Sequence, residues 1–344
     1  SCKRFDGDDQ TNQILRSSFS NQILIKVLAY RFSAFGDVAM LVPVFKEILE
    51  QNPELEITMV SRKNFEDLFV GIERLKFKGV NLDDFKGITG LYSLANQLKS
   101  DIEFDVVADM HDVLRTNTLN RIFRWKGIQV FQIDKGKKDK KYLVDIWNVD
   151  KKPLKRTIER YADVFRKIGC HVQLKNKLKP IVTEKSGIGL APFAQHKGKV
   201  LPKEKAFELA KILAEKDPVF FFGGGKAETE VLKSWEEQIP NSKSLAGKLS
   251  LKEELQKIAS LEVMISMDSA NMHLASLVGT RCISIWGQTH PYAGFLGYGQ
   301  NEDDIVQVED LTCRPCSVFG DKECFRGDWA CLNELSVQHI LDKL

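Results

Sequence analysis

The feature that most constrains the fold of this 344-residue chain is an alternation between short apolar runs and segments of helical periodicity. The run ILIKVLAYRF at 23–32 is typical of a buried strand, and apolar residues then recur at helical spacing over 38–49. The same order restarts with GIGLAPF at 187–193 and a helix predicted over 202–216. Because a strand that feeds a helix is the unit of a parallel sheet, the chain is predicted to be α/β, with two successive doubly wound domains.

The predicted domains are 23–180 and 181–344, since the pattern restarts after a Lys-rich stretch at 175–185. Residues 1–22 are polar and lack the apolar centre of a secretory signal, so they are predicted to be a disordered tail or a remnant added for expression. No run of 18 or more apolar residues occurs, which favours a cytoplasmic location.

The net charge of +3 conceals two halves of opposite sign. Residues 1–180 carry 32 Lys or Arg against 24 Asp or Glu, whereas residues 181–344 carry 18 against 23. Most of the positive excess lies in 121–180, including KGKKDKK at 135–141 and KKPLKR at 151–156. A solvated loop explains this excess as well as attraction to an anionic surface or substrate does. Nucleic acid is a weaker candidate partner because the stretch has no interleaved aromatic ladder.

Polar residues at the ends of predicted strands are candidate functional residues, because such sheets bind ligands outside the carboxyl ends of their strands. RFSAFGDV at 31–38 places Asp37 where a helix begins, either as a helix cap or as a base that takes a proton from a hydroxyl. DMHDVLRT at 109–116 places four charged or titratable residues at a second strand end: Asp109, His111, Asp112 and Arg115. They suit a polar rim, and metal binding by His111 with the two aspartates is the alternative.

Two loops of the second half suit an anionic ligand. APFAQHKGKVLP at 191–202 places Lys199 in a strand-to-helix loop, where an ammonium can hold phosphate. The three glycines of GGGKAETE at 223–230 would let a ligand approach the backbone closely. Glu228 in the same stretch is either an acceptor of hydrogen bonds from ribose hydroxyls or part of a plain surface loop.

The strand VMISMD is followed directly by the helix predicted from SANMHLASL. Asp268 ends the strand, Ser269 begins the helix, and His273 lies one turn further on the same face. The first-turn N–H groups of a helix have no partners within it, so this junction predicts a diphosphate socket.

Four cysteines cluster near the C-terminus with the spacing C-x2-C-x7-C-x6-C, namely Cys313, Cys316, Cys324 and Cys331. A structural zinc site, free thiols and disulfides are the alternatives, of which disulfides are the least favoured in the cytoplasm.

The chain resembles glycosyltransferase family 9, the bacterial ADP-heptose:lipopolysaccharide heptosyltransferases, in the order and spacing of six segments: RFSAFGDVAMLVP, DMHDVLRT, APFAQHKGKVLP, SLAGKLSLKEEL, MISMDSANMHLASLVGT and SIWGQTHP. The resemblance covers about residues 24–340. It implies the GT-B fold, two doubly wound Rossmann-like domains facing a central cleft. The N-terminal domain would bind the acceptor and the C-terminal domain the nucleotide sugar. The last helix, about 334–344, would cross back to the N-terminal domain.

The resemblance also implies roles for individual residues. Asp37 matches the general base, and Lys199 matches the lysine that contacts the donor phosphates. Asp268, Ser269 and His273 match the donor motif D-S/T-G-x-x-H, in which Ala270 stands where the family usually has glycine. Glu228 matches a less sharply defined acidic position in the donor site, with Glu230 as the alternative. The residues expected to bind the acceptor are Arg31, Ser33, His111 and Arg115.

The implied reaction is a single inverting transfer of a sugar from a nucleotide-diphospho-sugar to a lipopolysaccharide-core or related envelope glycan. ADP-heptose is the expected donor and a phosphorylated glycolipid the expected acceptor. Because Lys199 and the helix at 269 would neutralise the leaving diphosphate, no metal or other cofactor is expected in the reaction. The expected location is the inner face of the cytoplasmic membrane, in peripheral contact with it and without nucleic acid. Ala270 leaves nucleotide-sugar binding without transfer as the alternative, and a zinc-stapled nucleic-acid binder is the third hypothesis.

Overall fold

The computed structural model describes residues 24–344, so the predicted tail at 1–22 lies outside the described residues. The strands are β1 (Ile25–Tyr30), β2 (Leu55–Arg62), β3 (Leu75–Val80), β4 (Val106–Asp109), β5 (Gln129–Gln132), β6 (Ile188–Ala191), β7 (Val219–Phe221), β8 (Ser242–Ser244), β9 (Val263–Met267), β10 (Arg281–Ile285) and β11 (Ile305–Val306). The α-helices are α1 (Phe35–Ala39), α2 (Leu41–Gln51), α3 (Gly87–Asp101), α4 (Leu114–Trp125), α5 (Lys137–Leu143), α6 (Thr157–Ile168), α7 (Lys203–Ala214), α8 (Lys226–Gln238), α9 (Leu251–Ala259), α10 (Ala270–Leu277), α11 (Ala330–Asn333) and α12 (Val337–Leu341). Short 3-10 helices lie at Lys63–Leu68, Leu82–Asp84, Lys197–Lys199, Pro291–Ala293 and Glu302–Asp304.

The chain folds into two compact units. Of the described residues, unit 1 comprises 24–34, Leu41–Lys135 and Glu159–Lys175. Unit 2 comprises Phe35–Met40, Gly136–Ile158 and Asn176–Leu344. The long C-terminal part of unit 2 begins at Asn176, close to the boundary predicted at residue 180. Two earlier segments of the predicted first domain, Phe35–Met40 and Gly136–Ile158, also belong to unit 2. One of them is α1, which packs on α10.

Unit 1 contains a five-stranded parallel sheet in the order β3-β2-β1-β4-β5. Leu28 and Tyr30 of β1 and Val107 of β4 are buried in its core, where each large apolar side chain contributes about 1.5–3 kcal/mol. The strand order reverses between β1 and β4, which pair in register from Val27↔Val106. Ligand sites of doubly wound sheets lie beside such a reversal.

Unit 2 contains a six-stranded parallel sheet in the order β11-β10-β9-β6-β7-β8. Its order reverses between β6 and β9, which pair from Ile188↔Val263 to Ala191↔Ser266. Buried residues of β6, β7, β9 and β10 form the core with α7 and α8. The loops that leave β6 and β9 are those that carry Lys199 and Asp268, so the reversal places both residues at one edge of the sheet.

Pro43 lies within the first helical segment, predicted over 38–49. The segment is divided at Met40 into α1 and α2, and Pro43 lies in the first turn of α2, where a missing N–H donor is tolerated. The sequence analysis did not predict β3, LKFKGV, although its first four residues alternate between apolar and polar, and its lysines are typical of an edge strand.

The last helix, α12, belongs to unit 2. Val337 and Ile340 are buried in the core of that unit, and Lys205 of α7 donates to the carbonyl of Leu335 at 2.8 Å. Burial of these apolar side chains holds the helix on α7, and the predicted crossing of 334–344 to the first domain stays a prediction. Within residues 24–344, none of the helices combines the length and apolarity needed to cross a membrane.

Candidate active site

The centre of the candidate site is a buried ion pair between the loops that leave β6 and β9. Lys199 Nζ lies 3.0 Å from Asp268 Oδ2 and also donates to the backbone carbonyl of Asp268 at 3.0 Å. The side chains are 17% and 5% exposed, so little water screens the pair. An ammonium carries three N–H donors, and Lys199 can therefore offer an anion a donor beyond these two.

Asp268 is held from a second side by the loop that follows β10. Thr289 Oγ1 donates to Asp268 Oδ2 at 2.8 Å. Buried Arg314 orders this loop, because its guanidinium donates to the carbonyls of Trp286, Gly287 and Thr289. The carboxylate that orients Lys199 is thus fixed before any ligand binds.

The N-terminus of α10 lies directly beside this pair. Ser269 is its N-cap residue, and its side chain makes no capping hydrogen bond to the first turn. Its hydroxyl lies 3.1 Å from Ser266 Oγ instead. The first-turn N–H groups of α10 are therefore not covered by the cap side chain, and helix N-termini of this kind bind phosphate.

His273 is buried on the first turn of α10 and is neutral at pH 7. Burial lowers the pKa of His273 to about 4, although Asp268 and Asp37 raise it, and Lys199 and Arg156 lower it further. Its Nδ1 is buried without a hydrogen-bond partner in the described structure. Such an atom costs about 1–3 kcal/mol, a cost that a ligand able to hydrogen-bond there would remove.

Asp37 lies in α1, and α1 packs on α10. The contact requires glycine at position 36, because a Cβ there would stand 3.0 Å from Cδ2 of His273 and 3.4 Å from the Cα of Ala270. Asp37 is half-buried and close enough to influence the titration of His273. The structure therefore groups Asp37 with the residues of unit 2, although the sequence predicts it in the first domain.

The cysteine-rich segment, residues 313–331, supports the loop that carries Lys199. Gly198 N donates to the carbonyl of Gly320 at 3.1 Å, and Gln288 N donates to the carbonyl of Gly198 at 2.7 Å. A Cβ at Gly320 would stand 2.6 Å from Cγ of Lys199. The backbone of this segment thus limits where the Lys199 side chain can lie.

Glu228 lies one strand away from the ion pair, in the first turn of α8 after β7. Its Oε2 accepts from Gly224 N at 2.8 Å, so the carboxylate closes the triple-glycine loop on itself. This contact gives Glu228 a structural role in the loop, and its contact with a ribose stays a prediction.

Three of the four predicted acceptor residues lie together in unit 1, beside the reversal between β1 and β4. His111 Nε2 lies 3.3 Å from Ser33 Oγ, and Arg31 Nη1 donates to the carbonyl of Met110 at 2.6 Å. Arg31 also lies over the ring of Tyr161, with its Cζ 5.7 Å from the ring centroid. Arg115 lies in the first turn of α4.

Asp109 has a structural role in the same unit. Its Oδ1 accepts from the backbone N–H groups of His111 and Asp112, and its Oδ2 accepts from Asn120 and Gln132. Because four donors occupy this carboxylate, it fixes the turn after β4 rather than serving as a metal ligand.

The four C-terminal cysteines line one small cavity and are all free thiols. Within residues 24–344 there is no group of three or more His, Cys, Asp or Glu side chains that could hold a metal ion. The predicted zinc site at Cys313, Cys316, Cys324 and Cys331 is therefore not formed. Burial raises the pKa of Cys331 to about 12, so this thiol is protonated at neutral pH.

Comparison with models of protein families shows to which family this chain belongs. The model of glycosyltransferase family 9 (heptosyltransferase) matches residues 91–324, which is more than half of the sequence. The chain belongs to glycosyltransferase family 9. The match covers Lys199, Asp268, Ser269 and His273, and it begins after Asp37.

Curated family 9 relatives are distant in sequence. Lipooligosaccharide heptosyltransferase 2 of Campylobacter jejuni is 28% identical over 145 residues, which are 40% of this chain and 42% of that protein. Lipopolysaccharide heptosyltransferase 1 of Campylobacter coli is 24% identical over 302 residues, 78% of this chain and 85% of that protein. The alignment with the first of these relatives thus spans less than half of its length.

Solved structures of family 9 proteins share the fold. A glycosyl transferase of family 9 from Veillonella parvula superposes with a TM-score of 0.69 at 16% identity, covering 93% of this chain and 96% of that one. ADP-heptose lps heptosyltransferase II of E. coli superposes with a TM-score of 0.65 at 16% identity, covering 93% and 97%. The two doubly wound sheets are those of the GT-B fold, as the sequence predicted.

Several residues of the site were not predicted from the sequence of this family 9 chain. Thr289 lies within the motif WGQTHP, which marked the strand end without indicating that its hydroxyl binds Asp268. Arg156 lies in the basic stretch KKPLKR and is half-buried. The sequence pattern does not distinguish it from the exposed lysines beside it. Gly320 gave no signal, because only the folded chain brings it to Lys199.

Proposed function

We propose that this family 9 chain is an inverting, metal-independent glycosyltransferase that moves a heptose from ADP-heptose to a lipopolysaccharide-core or related envelope glycan. The observation that carries the proposal is the buried pair of Lys199 and Asp268 beside the uncapped N-terminus of α10. This arrangement offers an ammonium and a helix end to one diphosphate. Unit 2 would bind the nucleotide sugar, and unit 1 would bind the acceptor through Arg31, Ser33, His111 and Arg115.

The leaving diphosphate needs stabilisation because negative charge grows on it as the bond to the anomeric carbon breaks. Lys199, the hydroxyl of Ser269 and the first-turn N–H groups of α10 would supply it from fixed positions in a site of low dielectric. Asp268 would keep Lys199 in place rather than touch the phosphates. A fixed cation and a helix N-terminus together do the work that a magnesium ion does in other sites that bind diphosphates.

Asp37 would take the proton from the acceptor hydroxyl as that oxygen attacks the anomeric carbon. A well-placed general base contributes about 10²–10⁴-fold to the rate. Neutral His273 would bind the donor through the nitrogen that lacks a partner, without adding positive charge. Inversion follows from a single displacement at the anomeric carbon.

Two features support an acceptor at the cytoplasmic membrane. The curated relatives named above are lipooligosaccharide and lipopolysaccharide heptosyltransferases. Residues 121–180 hold most of the positive excess of the first half of the sequence. A phosphorylated, lipid-linked glycan is an anionic substrate of the kind such a stretch attracts. The protein would therefore work in peripheral contact with the inner face of that membrane.

The substitution Asp37→Asn tests the base. The variant should lose about 10²–10⁴-fold in kcat for transfer to a lipid A-core acceptor, because the amide cannot accept the proton. Its Kd for the donor, measured by calorimetry, should stay unchanged.

The matched control is Asp217→Asn, which changes an exposed aspartate in the turn after α7 and should keep full turnover. Full turnover by the Asp37→Asn variant would show that another group accepts the proton. Tight donor binding by the unaltered protein without transfer to any acceptor would instead favour a nucleotide-sugar-binding protein.

The donor is tested by thermal shift with ADP-, UDP- and GDP-sugars. A ligand present at 100 times its Kd stabilises the folded state by about 2.7 kcal/mol, so the preferred nucleotide should raise Tm by several degrees. ADP-heptose should give the largest rise, and the rise should not change when EDTA is added. A larger rise with a UDP- or GDP-sugar would reassign the donor.

A further inference from the structure

Unit 2 carries an exposed groove of about 610 Å³ whose lining combines aromatic and cationic side chains. One wall comes from α5 and the turn after it, and the other comes from the cysteine-rich segment. We define the aromatic-lysine face by six residues that line this groove: Lys138, Lys141, Tyr142, Trp147, Lys322 and Phe325.

The aromatic side chains of this face are exposed to an unusual degree. Trp147 is 82% exposed, Phe325 63% and Tyr142 62%. Val149, two residues after Trp147, is 98% exposed. Large aromatic side chains normally bury most of their surface, and a cluster of exposed ones marks a surface that contacts something apolar.

The local structure holds these side chains outward. Leu143 is buried and anchors α5, and Asp145 N and Asn148 Nδ2 both donate to the carbonyl of Tyr142. Trp147 N donates to Asp145 Oδ1 at 3.0 Å, which fixes the turn that carries the indole. The exposure of Trp147 is therefore a property of an ordered turn.

Positive charge in unit 2 is concentrated on the same segment. Residues 136–158 carry eight Lys or Arg and three Asp, a net charge of +5. The rest of the unit, 35–40 and 176–344, carries 20 Lys or Arg against 24 Asp or Glu, a net charge of −4. An anionic partner is therefore attracted to segment 136–158, which forms one wall of this face, rather than to the unit as a whole; Asp145 and Glu323 also line the groove.

An anionic bilayer matches this combination of groups. Trp and Tyr lie at the level of lipid headgroups, where the ring is in contact with acyl chains and the polar tip with water. Lysines extend their apolar stems and place the ammonium at the lipid phosphates. We propose that the aromatic-lysine face adsorbs the protein on an anionic lipid bilayer, with Tyr142, Trp147 and Phe325 inserted at headgroup level. The choice of lipid over other polyanions rests on the proposed function.

Sedimentation with lipid vesicles tests the proposal on the full chain. The vesicles contain phosphatidylcholine alone or phosphatidylcholine with about one-third phosphatidylglycerol, which supplies the negative surface charge. The unaltered protein should sediment with the second kind only, and binding should weaken as salt is added. The double variant Lys138→Glu/Lys141→Glu should lower the partition coefficient at least tenfold, and so should Trp147→Ser/Phe325→Ser.

Matched controls change exposed residues elsewhere. Lys216→Glu/Lys252→Glu alters two exposed lysines of unit 2 outside the face, and Trp125→Ser removes an indole of unit 1 that is 78% exposed. Both should sediment as the unaltered protein does.

Tryptophan fluorescence gives a second measurement of insertion. The emission of Trp147 should shift to the blue on vesicles and be quenched by brominated lipid, and the Trp147→Phe variant should lose this signal.

Three results would overturn the proposal: equal sedimentation of the face variants and their controls, equal binding to both kinds of vesicle, or binding of a polynucleotide by this face without binding of vesicles. Transfer to a water-soluble, deacylated acceptor separates this proposal from the proposed function. The Trp147→Ser/Phe325→Ser variant, which changes no charge, should retain that transfer. If the unaltered protein binds vesicles but transfers nothing, the proposed function fails and the membrane surface stands.

Discussion

His273 is buried and remains neutral at pH 7. The protein around it solvates a charged imidazolium less well than water does, so burial lowers its pKa. Two carboxylates near it, those of Asp268 and Asp37, oppose this effect, whereas Lys199 and Arg156 reinforce it. The sequence indicated that His273 lies near a helix start. The family resemblance implied that Asp37 and His273 act in one reaction, but no local pattern indicated their contact, which depends on the packing of α1 against α10.

The depressed pKa of His273 predicts a contribution to the pH dependence of stability. The unfolded chain binds a proton at His273 near pH 6.5 and the folded protein only near pH 4, so the unfolded state holds more protons between these values. The free energy of unfolding should therefore fall by about 3 kcal/mol from this residue as the pH drops from 6.5 to 4. Urea denaturation of the His273→Gln variant at several pH values in this range should show a correspondingly weaker dependence.

His290 provides the comparison for this measurement. Burial, together with Arg314 and Lys151, lowers the pKa of His290 to about 3, so His290→Gln should also weaken the acid dependence. Each substitution should remove the part of the pH dependence of the unfolding free energy that comes from the histidine it replaces. An unchanged slope in the His273→Gln variant would mean that this imidazole is hydrated in solution.

Between elements, the loop that carries Lys199 depends on a segment more than a hundred residues later in the chain. Gly198 donates to the carbonyl of Gly320, and Gly320 adopts a φ of +76° beside the Lys199 side chain. The sequence prediction treated the cysteine-rich segment as separate from the chemistry. The structure shows it packed against the loop that holds the predicted phosphate ligand.

The substitution Gly320→Ala tests this support. The added Cβ would stand 2.6 Å from Cγ of Lys199, so the side chain of Lys199 has to move. The Kd for ADP, measured by calorimetry, should rise about tenfold, which corresponds to about 1.4 kcal/mol of lost binding free energy.

Gly327→Ala is the matched control for Gly320→Ala. Gly327 lies in the same segment with a φ of +80°, and an added Cβ there would meet no atom within 4 Å. Both variants should lose about 1–2 kcal/mol of unfolding free energy, because an L-residue is strained at such a φ. Equal donor affinity in the two variants would show that Gly320 does not position Lys199.

Across the whole molecule, the predicted donor residues belong to one unit and the predicted acceptor residues to the other. Lys199, Asp268 and His273 are in unit 2, together with the predicted base Asp37, whereas Arg31, Ser33, His111 and Arg115 are in unit 1. Binding of the nucleotide part of the donor should therefore protect unit 2 more than unit 1.

Hydrogen exchange of the full chain with ADP measures this difference. The largest protection should fall in peptides covering 188–202 and 263–277, and peptides covering 25–30 and 106–109 should change less. AMP should protect the start of α10 less than ADP does, because it lacks the second phosphate that the helix N-terminus would hold. The largest protection in unit 1 would contradict the assignment of the donor site to unit 2.

The sequence by itself determined the α/β class, the two doubly wound sheets and the strand ends that carry Lys199, Asp268 and His273. Local periodicity and the rule that parallel sheets bind ligands at their carboxyl ends suffice for these features. Tertiary structure alone decided that α1 brings Asp37 to α10, that Gly320 limits the position of Lys199, that α12 packs on α7 and that the four cysteines form no metal site. Each of these depends on contacts between residues far apart in the chain, and such contacts are set by packing and burial, which leave no periodic signal in the sequence.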